Sequence, residues 1–187
     1  MARTVELTLQ ADTTASDIDW DKEWLKCHLS FLYFIVTYGN IKDAALGVIP
    51  WTPYPHLTKA AKIIEEHSLV IALKARQIGW TWLMAHLSVW TALFHQGAKV
   101  IILSKSEEAA NETLSYARFV WTKLPAPLRP PAGRDQSSLL VFPSVDSQIR
   151  TCSSTETAGI GFGDASLVIA DEFDFHKYAE QNYAELK

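Results

Sequence analysis

The chain has 187 residues, of which 48% are hydrophobic and 20% are charged, and its formal net charge is −4. This length suffices for one domain with a buried core, and the composition excludes a disordered chain. A surface that binds nucleic acid non-specifically carries a basic excess, which this chain lacks. Its two cysteines, Cys27 and Cys152, are far apart and in no metal-like spacing, which favours a reducing compartment.

The first third of the chain predicts a loose arm, one helix and a linker. Residues 1–18 show no period and lack the apolar core of a signal peptide. Apolar residues recur at helical spacing over 19–38, and the pair Gly39-Asn40 ends that helix because both residues tolerate the left-handed conformation. Three prolines between residues 50 and 55 then predict an extended linker. The most apolar run of the chain is far shorter than the roughly 20 residues of a membrane span.

From residue 57 onward, apolar strands alternate with helices. The main strands are continuously apolar, which predicts an α/β protein whose parallel sheet is covered by helices on both faces. Ser106 is a predicted N-cap, with Ala109 as the third residue of its helix. In chain order, the predicted elements are a helix over 57–67, a strand over 69–73, a helix over 81–95, a strand over 99–103, a helix over 106–124, two short strands over 138–142 and 148–152, and a strand over 166–170.

The segment between the strand over 69–73 and the next helix has features of a phosphate-binding loop. Gly79 and Thr81 match the second glycine and the hydroxyl of the pattern G-x-x-x-x-G-K-[ST], whereas Lys74 and Trp80 stand at the first glycine and the lysine. A helix N-terminus supplies N–H groups for phosphates. Lys74 can reach the β/γ oxygens from the other end of the loop, Thr81 offers a hydroxyl to Mg²⁺, and Arg76 adds a second cation. The alternative is an ordinary turn with two surface cations.

A second candidate site follows the strand over 166–170, where Asp171 and Glu172 are adjacent. An apolar strand that ends in two carboxylates is the Walker B pattern. Successive residues at a strand end point in different directions, so Asp171 can hold Mg²⁺ while Glu172 orients and activates water. An acidic loop after a core strand is common by itself. The combination with an upstream phosphate-like loop, and at least one strand between the two, is far more specific than either motif alone.

At these residues the chain resembles the large terminase subunit of tailed phages. That family often carries a variant phosphate loop of the form Lys-x-Arg-Gln-x-Gly-x-Thr, which residues 74–81 fit. Residues 100–110 are similar to the family's strand, Ser-Lys-like turn and Ala- and Glu-rich helix. Residues 153–163 look like its Gly-rich segment before Walker B.

The resemblance implies an ASCE-type P-loop NTPase with a mainly parallel sheet covered by helices on both faces. It implies an Mg²⁺-dependent ATP hydrolase that drives viral DNA into the procapsid from the host bacterial cytoplasm. The implied partners are the portal protein, the small terminase subunit, double-stranded DNA and further copies of the chain in a ring. The implied division of the chain is an N-terminal arm and helix over 1–50 and an ATPase core over 51–187.

The resemblance also implies a role for each site residue. Glu172 is the implied catalytic base, Arg76 stabilises charge on the transferring phosphoryl group, and Thr81 and Asp171 are the implied Mg²⁺ ligands. The implied nucleotide-binding residues are Lys74, Ala75, Arg76, Gln77, Ile78, Gly79, Trp80 and Thr81.

Three features depart from the family pattern. No glutamine that could recognise adenine follows the segment at 54–57, and Ile160-Gly161 stands where many members have Arg-Gly. The chain ends at Lys187, before the family's coupling motif and nuclease domain, so we expect a truncated motor. Two alternatives therefore stay open, a helicase-like P-loop ATPase and a nucleotide-binding module without full activity.

The other polar residues are predicted to be structural or solvated. The six histidines show no metal-binding spacing. Asp174 and His176, close after the acidic pair, are expected at the surface. The scattered cations are expected on a solvated face, with a DNA-binding patch as the alternative: Lys99, Lys105, Arg118, Lys123, Arg129 and Arg134.

Overall fold

The computed structural model describes residues 18–75, 77–155 and 163–184. The predicted arm up to residue 17, Arg76 and most of the Gly-rich segment lie outside these residues. The helices are α1 (Trp20–Leu29), α2 (Phe31–Tyr38), α3 (Pro55–Glu66), α4 (Trp80–Phe94), α5 (Glu107–Lys123) and α6 (Ala179–Ala184). The strands are β1 (Asn40–Asp43), β2 (Gly47–Pro50), β3 (Lys99–Ser104), β4 (Arg134–Gln136), β5 (Leu139–Phe142), β6 (Ser147–Ser153) and β7 (Leu167–Ala170).

The single helix predicted over 19–38 is wrong, because Ser30 divides it into α1 and α2. Ser30 has extended backbone (φ −149°, ψ 117°), and its hydroxyl accepts a hydrogen bond from the Tyr33 N–H at 3.1 Å. The serine thus acts as an N-cap inside an apolar run. The predicted end of α2 is confirmed, but Gly39 is extended (φ −64°) and not left-handed. Glycine is needed there because a Cβ would lie 2.2 Å from the carbonyl oxygen of Ile35.

The α/β class is confirmed, but the five-stranded sheet is mixed and not mainly parallel. Its strand order is β4-β5-β6-β3-β7. β3 is parallel to β6 and β7, whereas β4, β5 and β6 pair antiparallel. The reason is the length of the connections, since strands joined by a few residues form hairpins and parallel strands need long crossovers. A short turn with Asp146 in the left-handed region (φ 52°) joins β5 to β6.

Helices were predicted on both faces of the sheet, but α4 and α5 pack on the same face. Val100 and Ile102 share the main core with these helices, whereas Ile101 and Leu103 belong to a small second cluster that contains no helix residue among those described. The described ends of the connection from β6 to β7, at 154–155 and 163–166, contain no helix either.

The buried strand predicted over 69–73 is also wrong. The segment is not in a sheet, and Leu69, Ile71 and Leu73 are 53%, 73% and 94% exposed. An apolar composition alone cannot make a strand, because backbone groups in a strand need a neighbouring strand to pair with. β7 is the edge strand on its side of the sheet formed by the described residues. The segment that leads into the candidate phosphate loop thus pairs with no strand in the described part of the chain.

The main core joins the N-terminal helices to the sheet. Phe31, Phe34 and Ile35 of α2 are fully buried in the same cluster as Leu83 and Phe94 of α4. The domain boundary predicted at residue 50 therefore falls between segments that share a core. No helix in the described part of the chain combines the length and apolarity that a membrane crossing requires.

His86 makes the free energy of unfolding depend on pH. Its ring is buried against Trp51, and its Nδ1 donates to the Trp82 carbonyl at 2.7 Å, which leaves Nε2 without a partner among the described residues. Burial lowers the pKa of His86 to about 4 from 6.5. The unfolded chain therefore takes up this proton first as the pH falls below about 6.5, and stability is lost between there and about pH 4.

We expect this histidine to remove about 2 kcal/mol of stability between pH 7 and pH 5. Urea unfolding of the wild type and of His86→Phe at both pH values measures the difference. The variant keeps the aromatic ring and the other titrating groups, so its stability should fall less over this range. Equal pH dependence in the two proteins would show that His86 is not the group responsible.

Candidate functional site

The predicted phosphate loop forms a cleft at the N-terminus of α4. The cleft has a volume of about 340 Å³ and is lined by residues 74–75 and 77–81, with Tyr54, Trp82 and Tyr116 completing its wall. All the predicted nucleotide-binding residues that the structure describes therefore lie around one opening. Arg76 is outside the described residues, so its role stays a prediction.

The backbone of the loop exposes amide groups at the start of a 15-residue helix. Gln77 and Gly79 have positive φ angles of 60° and 82°, and Gly79 is the N-cap of α4 without a side-chain capping bond. The first N–H groups of a helix that lacks such a cap can bind an anion. Two residues of α3 support the loop, since Leu57 lies close under Gly79 and His56 Nε2 donates to the Ile78 carbonyl at 3.1 Å.

The two predicted motifs meet through an ion pair. Lys74 Nζ lies 3.5 Å from Asp171 Oδ1, and their side chains are 25% and 13% exposed. Asp171 is held at the tip of β7, where its N–H donates to the Leu103 carbonyl at 3.0 Å. Lys74 and Asp171 are distant in sequence, so the fold brings the start of the loop to the end of β7.

Glu172 follows in a strained backbone conformation beside Lys105. Its φ and ψ are 53° and 41°, in the left-handed region that non-glycine residues seldom adopt. Lys105 Nζ lies 2.7 Å from Glu172 Oε2. The prediction of Lys105 as a merely solvated cation missed this contact. The available signal was its position directly after β3, because ligands bind at the carboxyl ends of parallel strands.

Asp174 and His176, which follow the acidic pair and were both predicted at the surface, differ in burial. Asp174 is exposed, as expected. His176 is only 6% exposed, so that prediction is wrong, and its Nε2 donates to the Asp171 carbonyl at 2.9 Å. Burial lowers the pKa of His176. The neutral ring thus helps to fix the turn that carries the two carboxylates.

The site offers oxygen ligands but no complete cage for a metal ion. No cluster of three or more His, Cys, Asp or Glu side chains suited to a metal occurs in the described part of the chain. Mg²⁺ commonly takes one or two protein oxygens and completes its shell with substrate phosphates and waters. The hydroxyl of Thr81 and the carboxylate of Asp171 fit that requirement in chemical type.

Comparison with known proteins adds no further information on the site. A scan of the chain against protein-family models finds no match. A search among curated proteins finds no match either.

Proposed function

We propose that this chain is an Mg²⁺-dependent ATP hydrolase with a P-loop NTPase core, the motor domain of a phage terminase large subunit. The observation that carries the proposal is the 3.5 Å contact between Lys74 at the loop and Asp171 at the tip of β7. The contact joins the candidate phosphate loop, whose Lys74 lines the cleft, to the carboxylate at the tip of β7. These are the two halves that nucleotide hydrolysis in such proteins needs.

Each side chain then has a role that its chemistry allows. The amide groups at the start of α4 and the ammonium group of Lys74 bind the phosphates. Thr81 and Asp171 hold Mg²⁺, which when bound neutralises charge on the β- and γ-phosphates. Arg76, in the same loop, stabilises charge on the phosphoryl group that is transferred.

Glu172 is the proton acceptor of the proposed reaction. A water oxygen attacks the γ-phosphorus as Glu172 takes a proton from that water. The bond between the γ-phosphorus and the bridging oxygen breaks, and ADP leaves with the bonding electron pair. The products are ADP and inorganic phosphate, and the proton on Glu172 returns to solvent.

The remaining parts of the proposal come from the resemblance to terminases. They are translocation of double-stranded DNA into a procapsid and assembly in a ring on the portal protein. They also include cooperation with the small terminase subunit in the host bacterial cytoplasm. The net charge of −4 favours DNA contacts that are local and not spread over the surface. A helicase-like ATPase is distinguished by ATP turnover that DNA stimulates without any portal protein.

One observation favours the alternative of a binding module without full activity. The segment at 69–73, which leads into Lys74, is exposed and outside the sheet. A catalytic loop needs its groups held close to the productive geometry by a rigid scaffold. Tight binding of Mg·ATP with no turnover would identify such a module.

Lys74→Ala is expected to weaken Mg·ATP binding by about 2 kcal/mol, or roughly 30-fold in Kd, because it removes a charged hydrogen-bond donor from the phosphates. Isothermal titration calorimetry measures the change. Lys62→Ala, at an exposed position of α3, is the matched control and should bind like the wild type. If the wild type binds and Lys74→Ala binds equally well, the loop is an ordinary turn and the proposal fails.

A further inference from the structure

The ion pair between Lys105 and Glu172 follows from the register of the sheet. β3 and β7 are parallel neighbours, and Leu103 is the partner of Ala170. Lys105 and Glu172 each lie two residues after one of these partners, so both follow the carboxyl ends of their strands at the same edge of the sheet. The contact of 2.7 Å between Nζ and Oε2 thus joins two partly exposed side chains that follow adjacent positions of neighbouring strands.

Lys105 also touches the turn that Glu172 begins. Its ammonium group lies over the ring of Phe175 at 5.4 Å from the centroid. The Phe175 N–H donates to the Glu172 carbonyl at 2.9 Å, and the Glu172 N–H donates to Asp171 Oδ1 at 3.0 Å. Lys105 therefore contacts both ends of a short turn whose first residue has a left-handed backbone.

Strain of this kind persists only where the surroundings hold it in place. The side-chain contacts from Lys105 to Glu172 and to Phe175 supply such a restraint, one charged and one cation–π. A carboxylate has two oxygens and about four lone-pair sites, so a contact at Oε2 does not use up its capacity to accept a proton.

We propose that Lys105 is a positioning residue that holds the Glu172 carboxylate and its turn in the orientation used for hydrolysis. This inference rests on the proposed function, in which Glu172 takes the proton of the attacking water. Lys105 acts through Glu172 and does not itself bind the phosphates. A small displacement of a catalytic group has a large effect on rate, so the role predicts a specific loss in kcat.

The kinetic experiment compares the wild type with Lys105→Ala and Lys105→Arg. We expect kcat for ATP hydrolysis to fall about 10- to 100-fold in the alanine variant with KM for Mg·ATP unchanged, and the arginine variant to recover most of the loss. Lys99→Ala is the matched control. Lys99 lies at the other end of β3 and pairs with Asp164, so its removal should leave kcat unchanged.

A second comparison shows whether Lys105 acts through Glu172 or independently of it. In a Glu172→Gln background, adding Lys105→Ala should lower kcat no further. A further drop, an unchanged kcat in Lys105→Ala alone, or a KM that rises as much as kcat falls would each overturn the positioning role. The last result would identify Lys105 as a direct phosphate ligand.

Hydrogen exchange without nucleotide tests the restraint apart from catalysis. The Phe175 and His176 amides, which donate to the Glu172 and Phe173 carbonyls, should exchange faster in Lys105→Ala than in the wild type or Lys99→Ala. Unchanged exchange would overturn the restraint whatever the activity. If the wild type shows no ATP turnover, the proposed function fails and the catalytic role fails with it. Normal turnover with an unaffected Lys105→Ala rejects only the role of Lys105.

Discussion

Glu172→Gln is expected to lower kcat for ATP hydrolysis by about 100- to 10,000-fold, the range that a positioned general base contributes. Glutamine has the size of glutamate but cannot accept the proton of the attacking water. Because Glu172 is not among the residues that are proposed to hold the phosphates, Mg·ATP binding should persist. The expected variant therefore binds its substrate and does not turn it over.

Two measurements on one preparation decide this result. Calorimetry gives the Kd for Mg·ATP, and phosphate release gives kcat. Glu180→Gln, at an exposed position of α6, is the matched control and should keep both values. Turnover by Glu172→Gln at the wild-type rate would show that another group takes the proton, and a parallel loss of binding would show that the change disturbs the cleft itself.

Phe34→Ala is expected to lower the free energy of unfolding by about 3–5 kcal/mol, the usual cost of removing a buried phenylalanine. The Phe34 side chain is fully buried, and its ring packs edge-on against Phe94 at 5.4 Å between centroids. The substitution leaves a cavity between α2 and α4 and removes an aromatic pair. Urea unfolding followed by circular dichroism measures the loss.

The control for this result lies on the same helix. Val36 is 58% exposed, so Val36→Ala should change stability by less than about 0.5 kcal/mol. A small effect of Phe34→Ala would mean that α2 does not pack against α4 in solution. A large effect with a single cooperative transition would show that residues 18–50 and the sheet unfold as one unit, whatever boundary the sequence suggests at residue 50.

The helices of this fold could be predicted because their signals are local. Ser106 caps α5 by accepting from the Ala109 N–H at 3.2 Å, as its position before a helical pattern indicated. The division at Ser30 was missed because the apolar residues continue at helical spacing across it. The hydrogen bond by which Ser30 caps α2 starts a new helix there, although the spacing of the apolar side chains is typical of one continuous helix.

Strand pairing was harder to predict because it depends on residues elsewhere in the chain. The apolar runs of β3 and β7 pair with neighbouring strands, whereas the similar run at 69–73 pairs with no strand among the described residues. The two motifs assign Lys74 and Asp171 to one nucleotide site, but they do not predict the ion pair between the two side chains. The contact of Lys105 with Glu172 was not predicted either, because it requires the register of β3 against β7, which no local pattern contains.

The pair of Lys74 and Asp171 has a consequence for how ligands enter. With these two charges at 3.5 Å from each other, this part of the cleft is close to neutral. Under the proposed function, free Mg²⁺ would bind Asp171 and leave Lys74 without its ion-pair partner, whereas ATP alone would bind Lys74 and leave Asp171 without its partner. A partly buried charge without a partner is unfavourable. Mg·ATP carries both signs of charge and would give each of the two residues a new partner. Under the proposed function, the ion pair would therefore favour binding of Mg·ATP over binding of free Mg²⁺ or free ATP.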